Sequence, residues 1–277
     1  PTININPSPI VDVESSFSYG SVYDAQAREL AELEGEYDRL QNQVAQERIK
    51  GVPSPYAGMV SIASNIDALK ESDRQVERIE LTAGYSNPGA IDITGWSLES
   101  ALLRTRYFIP RAAAPLMNGL TNTLSPTFLD PGTTALITSG TSPVGTSFRE
   151  NMCSGYLQQF QSFSPPLYQE CPAPSTVLPL TPENLERYGD ACFDAIAALE
   201  RCRFPETIPG SPSAQCRNFL ANELSYNGCV MRNRFRLSFH SPLWRIYLNA
   251  QTEIWRNSHD AIRLLDAEGK TVDVLVY

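Results

Sequence analysis

The chain has 277 residues, which is enough for one large domain or two small ones with a proper hydrophobic core. Its 42% apolar and 19% charged residues are ordinary for a globular protein and exclude a fibrous or wholly disordered chain. A net charge of −9 without any Lys/Arg-rich run argues against nucleic acid as a partner, and no apolar stretch approaches the roughly 20 residues that a membrane span needs.

The N-terminal region falls into two parts. Residues 1–20 are rich in Pro, Ser and Asn, which predicts an extended arm; they lack the order of a signal peptide, and we expect any leader or anchor to precede them. Residues 21–50 predict an amphipathic helix that is capped by Ser21 and ends before Gly51. Its apolar residues recur at steps of three and four: Leu30, Leu33, Tyr37, Leu40 and Val44. This seam packs either against its own domain or against a second chain as a short coiled coil.

From residue 57 the pattern changes to that of β-strands. Short runs rich in Val, Ile, Thr and aromatics predict strands within residues 57–150 and again within 244–277. The runs are GMVSIAS, ERIELTAG, AIDITGWSLES, RYFIPR, TTALITSG, RIYLNAQTEIW, DAIRLLDAEG and KTVDVLVY. Strands at this spacing favour a β-sandwich, in which Gly95 lets the backbone turn beside Trp96. The last two runs predict a terminal hairpin with its turn at residues 266–269.

Residues 151–243 differ in composition and predict a helical insertion between the strands. A short helix opens this region, and its aromatic face either packs beneath the proline-rich loop that follows or forms a docking patch. The aromatic face comprises Tyr156, Phe160 and Phe163. Thr181, followed by Pro and Glu, caps a helix that we expect to run to about Arg203. A further helix is expected to start near residues 211–213 and to end around Gly228.

All six cysteines lie in the predicted insertion. They are Cys153, Cys171, Cys192, Cys202, Cys216 and Cys229. Metal binding is the alternative to disulfides, but no C-x-x-C motif occurs, and neither His240 nor His259 is spaced with the cysteines as zinc ligands usually are. We therefore expect three disulfides, which predict an oxidising compartment outside the cytoplasm.

Helix geometry favours one pairing among the fifteen that six cysteines allow. On one continuous helix Cys192 and Cys202 would lie about 15 Å apart, beyond the limit of roughly 7 Å for bridged Cα atoms. An antiparallel helical hairpin would bring cysteines of the two helices together instead. The pairs that result are Cys202–Cys216, Cys192–Cys229 and Cys153–Cys171.

Several strand segments occur in a characteristic order. They are MVSIAS, ERIELTAGYSNPGAIDITGWSLES, YFIP, LDPGTTALITSG and DAIRLLDAEGKTVDVLVY. In this order they resemble the lamin tail domain, an immunoglobulin-like β-sandwich, over about residues 57–150 and 244–277. The resemblance implies that Trp96 and Trp255 are core aromatics and that residues 266–269 form the terminal turn. The segments SFRENMCSGYLQQF and SPPLYQECP are also similar to uncharacterised proteins of this domain type from candidate-phyla bacteria. The family implies binding or display at a bacterial surface and brings no catalytic residues.

Residues suited to catalysis are few in this sequence. His240 and His259 are the only histidines, and each adjoins a serine, but no G-x-S-x-G motif occurs; we expect turn or surface histidines rather than an active site. The glycine-containing turns lack the order of a phosphate loop, and the acidic turns lack the ligand order of a calcium loop. The sequence thus predicts no enzyme activity, no cofactor and no metal.

Together these features predict a fold that is mainly β with inserted α: an immunoglobulin-like β-sandwich with a disulfide-bonded helical insertion and an N-terminal amphipathic helix. The predicted function is that of a non-enzymatic, extracytoplasmic structural, adhesion or assembly module of a bacterial cell surface. Its partner is expected to be protein, as a homo-oligomer or a surface assembly, and Tyr85 is a candidate contact because it lies in a predicted loop. Two alternatives remain. One is a secreted hydrolase of polysaccharide or nucleic acid, with acidic residues in a cleft beside the insertion; the other is a carbohydrate- or calcium-binding module.

Overall fold

The computed structural model of the chain describes residues 19–63, 66–204 and 206–277. The chain divides into two compact units, one ending at Arg48 and the other spanning Ile49–Tyr277. The predicted N-terminal arm falls outside the described residues as far as residue 18.

The first unit contributes one long helix, α1 (Tyr19–Lys50), as the spacing of apolar residues predicts. The helix begins two residues before the expected start, so Ser21 lies within its first turn and the prediction that Ser21 is the cap is wrong. Gly51 follows the last helical residue with a φ of 64°, the left-handed conformation in which helices commonly end. The predicted C-terminal end is therefore confirmed.

The second unit is rich in β-strands and carries four further helices among its described residues. The strands are β1 (Val60–Ile62), β2 (Arg78–Ala83), β3 (Ile91–Asp92), β4 (Ser97–Ser100), β5 (Arg106–Phe108), β6 (Ala112–Ala113), β7 (Leu124–Ser125), β8 (Phe128–Leu129), β9 (Thr134–Thr138), β10 (Phe148–Asn151), β11 (His240–Tyr247), β12 (Ala261–Leu265) and β13 (Thr271–Val276). The helices are α2 (Pro182–Tyr188), α3 (Asp190–Ala197), α4 (Ala214–Glu223) and α5 (Tyr226–Asn233). Short 3₁₀ helices span Asp67–Leu69, Ser154–Gln159 and Pro174–Val177. At this level the expected β-rich fold with helices is confirmed.

The strands form three sheets. A seven-stranded mixed sheet has the order β1-β2-β9-β11-β10-β6-β7, and a four-stranded antiparallel sheet has the order β13-β12-β4-β5. Strands β3 and β8 form a two-stranded sheet. The seven-stranded sheet is mixed because β11 runs parallel to β9, and β6 runs parallel to β10.

Side chains from the two larger sheets meet in one hydrophobic core. The seven-stranded sheet contributes alternate residues of β2, β9 and β11, and the four-stranded sheet contributes residues of β4, β12 and β13. Trp96 and Trp255 are both buried in this core, as expected, and Trp96 packs against Tyr56 with ring centroids 5.2 Å apart. Gly95 adopts a φ of 77° in the turn before β4, which explains why a residue without a side chain precedes the indole.

The opposite face of the seven-stranded sheet supports a second core, which belongs to the segment between β10 and β11. Phe148 of β10 and Tyr247 of β11 pack there with residues of the 3₁₀ helix at Ser154–Gln159 and of α5. A third, smaller cluster joins α3 and α4 around Cys192 and Cys216. The seven-stranded sheet is thus covered by apolar side chains on both faces over part of its area.

The helices of this segment are shorter than predicted. Thr181 caps α2 and Ser213 caps α4, as expected, each accepting a hydrogen bond from a backbone amide at 3.2 Å. Gly189, with a φ of 76°, separates α2 from α3, and α3 ends at Ala197 rather than near Arg203. The second predicted helix is likewise divided, because Ser225 caps a new helix, α5.

All six cysteines form disulfides, as predicted, but each predicted pair is wrong. The bonds are Cys153–Cys229, Cys171–Cys202 and Cys192–Cys216. The predicted pairing requires two continuous helices, whereas Cys202 lies beyond the end of α3, where it can reach Cys171 in the proline-rich loop. Because the second helix is divided, Cys229 belongs to α5 and bonds to Cys153 beside the end of β10.

The strand predictions near the C-terminus are mostly confirmed. The segment RIYLNAQTEIW is extended only as far as Tyr247. Strand β11 begins at His240, which lies inside the predicted insertion of residues 151–243. The terminal hairpin of β12 and β13 is present, and its turn is held by Asp266, whose Oδ1 accepts hydrogen bonds from the amides of Glu268 and Lys270. Thr271 of β13 also exchanges two backbone hydrogen bonds with the segment that follows α1, at Val52 and Ser54.

Candidate functional site

A cleft of about 850 Å³ opens on the outer face of the seven-stranded sheet, beside the second core. Its floor includes Glu80 of β2, Leu136 of β9 and Arg245 of β11. These three residues are cross-strand partners, since Glu80 pairs with Leu136 and Leu136 with Arg245. They alternate along their strands with core residues, so their side chains point to the face opposite the main core.

Arg245 holds one wall of the cleft in place. Its guanidinium donates to Glu150 Oε1 at 2.5 Å and to the carbonyl oxygens of Pro165 and Pro166 at 2.7 and 3.2 Å. Both side chains of the ion pair are buried. Each nitrogen of this buried guanidinium donates one hydrogen bond, so Arg245 ties the proline-rich loop to the sheet.

Glu150 of β10 lines the cleft and has one carboxylate oxygen without a hydrogen bond. The residue is 1% exposed, and its Oε1 accepts from Arg245, while Oε2 accepts no hydrogen bond among the described residues. Burial raises the pKa of this carboxyl, and the charge and hydrogen bond of Arg245 offset part of that effect. Glu150 is therefore a desolvated carboxyl with one acceptor site unused.

Two further carboxylates line the cleft, those of Glu80 and Glu170. Neither takes part in an ion pair or a side-chain hydrogen bond among the described residues. Among the described residues that line the cleft, Arg245 is the only Lys or Arg. With three glutamates and one committed arginine, the cleft is acidic.

His240 stands at the start of β11 and also lines the cleft. Its ring packs edge-on against Phe239, and its Nδ1 is buried without a hydrogen-bond partner. Burial lowers the pKa of His240, and the charge of Arg149 lowers it further, so the imidazole is neutral near pH 7. No hydrogen bond joins it to the Ser241 hydroxyl in the described structure, and a nucleophile and base pair is therefore not formed there.

The rim of the cleft carries exposed tyrosines. Tyr85 is 87% exposed, and its ring covers Gly132, where a Cβ atom would overlap it. Gly132 lines the cleft, so the predicted contact residue Tyr85 lies at its edge on the β9 side. Tyr168 is 67% exposed and lies on the loop that Arg245 anchors. Two aromatic rings are thus available at different parts of the rim.

The other candidate residues are divided between surface and core. Leu30, Leu33, Tyr37, Leu40 and Val44 are exposed along α1. Tyr156 and Phe163 are buried in the second core, which makes them part of the packing and contradicts their use as a docking surface, whereas Phe160 is 67% exposed. His259 is exposed and does not line the cleft.

Glu77 is a buried carboxyl away from the cleft. It is fully buried just before β2, and neither of its oxygens accepts a hydrogen bond with good geometry. Burial raises its pKa to about 7; the neighbouring Ser139 hydroxyl and Ile254 backbone offset part of this without reaching hydrogen-bond geometry, and the charge of Glu253 adds to the rise. Glu77 is half protonated near neutral pH.

Sequence reasoning did not identify Glu80, Glu150 or Arg245. Each lies in or beside a strand at a polar position, where a charged residue ordinarily faces solvent. Their convergence depends on the parallel pairing of β9 with β11, which strand patterns do not reveal. Among the described residues, no group of three or more His, Cys, Asp and Glu side chains is arranged to hold a metal ion. None of the helices in the described ranges has the length and apolarity to cross a membrane.

Comparison with protein-family models, with curated proteins and with solved structures gives no match for this chain.

Proposed function

We propose that this protein is a non-enzymatic, extracytoplasmic binding module that serves structure, adhesion or assembly at a bacterial cell surface. The observation that carries the proposal is the cleft on the outer face of the seven-stranded sheet, whose wall is fixed by Arg245. A preformed concave site that combines apolar side chains with a few polar groups is suited to binding. The rigid sheet beneath it keeps the site preorganised.

Two further features support the setting. Three disulfides support an oxidising environment outside the cytoplasm. The order of strand motifs resembles the lamin tail domain, and two sheets that share one core with Trp96 and Trp255 are consistent with an immunoglobulin-like sandwich. In that reading the segment between β10 and β11 is an insertion that adds a binding wall to the sandwich.

Self-association through α1 is the assembly part of the proposal. The exposed seam of α1 follows an alternating three-and-four spacing. A second copy of α1 packs against this seam in antiparallel orientation. Residues 29–38 carry five acidic residues and no basic one, whereas residues 39–50 carry three basic residues and one acidic one. An antiparallel pair places the acidic half of each helix against the basic half of the other.

Site-specific photo-crosslinking in cells that produce the protein tests the cleft. A photoreactive phenylalanine derivative replaces Glu170 at the cleft, and in the control it replaces Glu268, which is exposed in the terminal turn. We expect a discrete adduct from position 170 in the extracytoplasmic fraction and none from position 268. A protein found in the cytoplasm with free thiols, or the absence of any adduct at position 170, would contradict the proposal.

A secreted hydrolase is the second candidate, favoured by one observation: three carboxyl groups line the cleft, and one of them has a raised pKa. Hydrolysis of a polysaccharide by the purified protein, lost in both Glu80→Gln and Glu150→Gln, would replace the binding proposal with this one.

A further inference from the structure

The charge of the cleft indicates what it binds, provided that it is a binding site as proposed above. We infer that the cleft takes a basic segment of a partner polypeptide, with one Lys or Arg side chain at Glu80 and a second at the free oxygen of Glu150. The inference rests on the lining of the cleft rather than on acidic residues alone, because Glu150, a nearly fully buried carboxyl in that lining, keeps one oxygen that accepts no hydrogen bond among the described residues.

The spacing of the two carboxylates fits an extended segment. Glu80 is two strands away from Arg245, so their Cα atoms are about 10 Å apart. Glu150 lies on the far side of Arg245, one strand further. In an extended peptide, residues two or four positions apart are separated by about 7 or 13 Å, and long basic side chains span the remaining gap.

The lining disfavours an anionic ligand. Each nitrogen of the Arg245 guanidinium already donates one hydrogen bond, to Glu150 or to a proline carbonyl, and no other Lys or Arg among the described residues lines the cleft. Arg149 near by is also committed, to Asp130 and to the carbonyl of Ser241. An anion would meet three carboxylates without a free cation, whereas a cation would gain charge-assisted hydrogen bonds.

The rim adds to the preference for cations. Tyr85 and Tyr168 expose their rings, and a Lys or Arg side chain is attracted to an aromatic face. The net charge of −9 attracts a basic partner over longer distances. Both the local and the overall charge therefore favour a basic polypeptide.

Binding of a defined peptide tests the inference. The probe is fluorescein-labelled Gly-Lys-Ala-Lys-Ala-Lys-Gly, and the control peptide has all three lysines acetylated; fluorescence anisotropy is measured with the full chain. We expect saturable binding of the probe that weakens as salt rises, and at least about tenfold weaker binding of the acetylated peptide. Glu80→Gln should weaken probe binding by about fivefold or more, whereas Glu268→Gln, which removes the same charge from an exposed turn, should leave it unchanged.

The outcomes separate this inference from the proposed function. The basic ligand would be overturned if both peptides bound equally or if the two substitutions had equal effects. It would also be overturned if a neutral oligosaccharide displaced the probe from the protein. The crosslinking result at position 170 would still stand in those cases and would keep the binding module. We expect Glu80→Gln to melt at the same temperature as the wild type, because the half-buried Glu80 side chain has no partner in the described structure.

Discussion

At the scale of single residues, the two buried glutamates behave differently because only one has a partner. Glu150 is buried together with Arg245, and the charge of Arg245 offsets part of the free-energy cost of burying the carboxylate. Glu77 is fully buried, and among the described residues its oxygens accept no hydrogen bond of good geometry and form no ion pair. The groups that act on it are the Ser139 hydroxyl, the Ile254 backbone and the charge of Glu253. Since burial opposes ionisation most strongly, the folded state favours the protonated form of Glu77.

Glu77 should make the protein less stable as pH rises. The pKa of Glu77 is about 7 in the fold against an ordinary value of 4.5, so between these values the unfolded chain binds fewer protons than the folded one. Stability contributed by the protonated form is complete below pH 4.5 and is lost as pH rises toward 7. The difference corresponds to about 3 kcal/mol.

Replacing Glu77 by Gln should abolish that loss. We expect Glu77→Gln to match the wild type near pH 4 and to exceed its free energy of unfolding by up to about 3 kcal/mol at pH 8, measured by urea unfolding across this range. Glu268→Gln serves as the control, because that side chain is exposed. An unchanged pH slope in Glu77→Gln would show that another group causes it.

At the scale of elements, sequence periodicity predicts the helices and strands whose positions depend on neighbouring residues. The three-and-four spacing defined α1, the strand runs located β2, β9, β12 and β13, and Thr181 and Ser213 capped helices as expected. The disulfide pairing failed because it depended on where helices end within the insertion. Gly189 and Ser225 end or restart helices, and the sequence marks them only weakly because glycine and serine also occur inside helices.

The three disulfides should differ in what they stabilise. Cys192–Cys216 closes 24 residues around the small cluster of α3 and α4, whereas Cys153–Cys229 closes 76 residues and ties α5 to the end of β10. By loop-closure entropy, the first contributes about 3.5 kcal/mol and the second about 4.5 kcal/mol.

Paired replacements test this difference. We expect Cys192→Ala/Cys216→Ala to raise amide hydrogen exchange in α3 and α4 while β2 and β9 stay protected, and Cys153→Ala/Cys229→Ala to expose the whole segment between β10 and β11. Peptide mapping under non-reducing conditions verifies the bonds in the parent protein. Equal protection patterns in the two variants would contradict the assignment of separate clusters.

At the scale of the whole molecule, the sequence predicted a β-rich chain with a cross-linked helical segment but not the cleft. Trp96 and Trp255 lie in one core, as the ordered series of sequence motifs implies. Glu80, Glu150 and Arg245 are far apart in the chain and meet only through sheet order. Such a site arises from long-range strand pairing, which no window of neighbouring residues encodes.

Self-association should follow the seam of α1. We expect the full chain to dimerise in sedimentation equilibrium and Leu33→Glu/Leu40→Glu to be monomeric, because two like charges in the seam oppose the pairing. Ala31→Glu/Asn42→Glu adds the same charge outside the seam and should still dimerise. A wild-type chain that stays monomeric at high concentration, or dimers in the seam variant, would rule out pairing through this face.

The contact between Thr271 and the segment after α1 bears on how the second unit would carry load. Val52 and Ser54 bond to Thr271 in a parallel arrangement, so the first and last segments of the unit run side by side in the same direction. Tension drawn through both segments in opposite directions would slide one along the other and strain both hydrogen bonds at once. A force applied in this way would therefore load both bonds in shear and would not break them one after another.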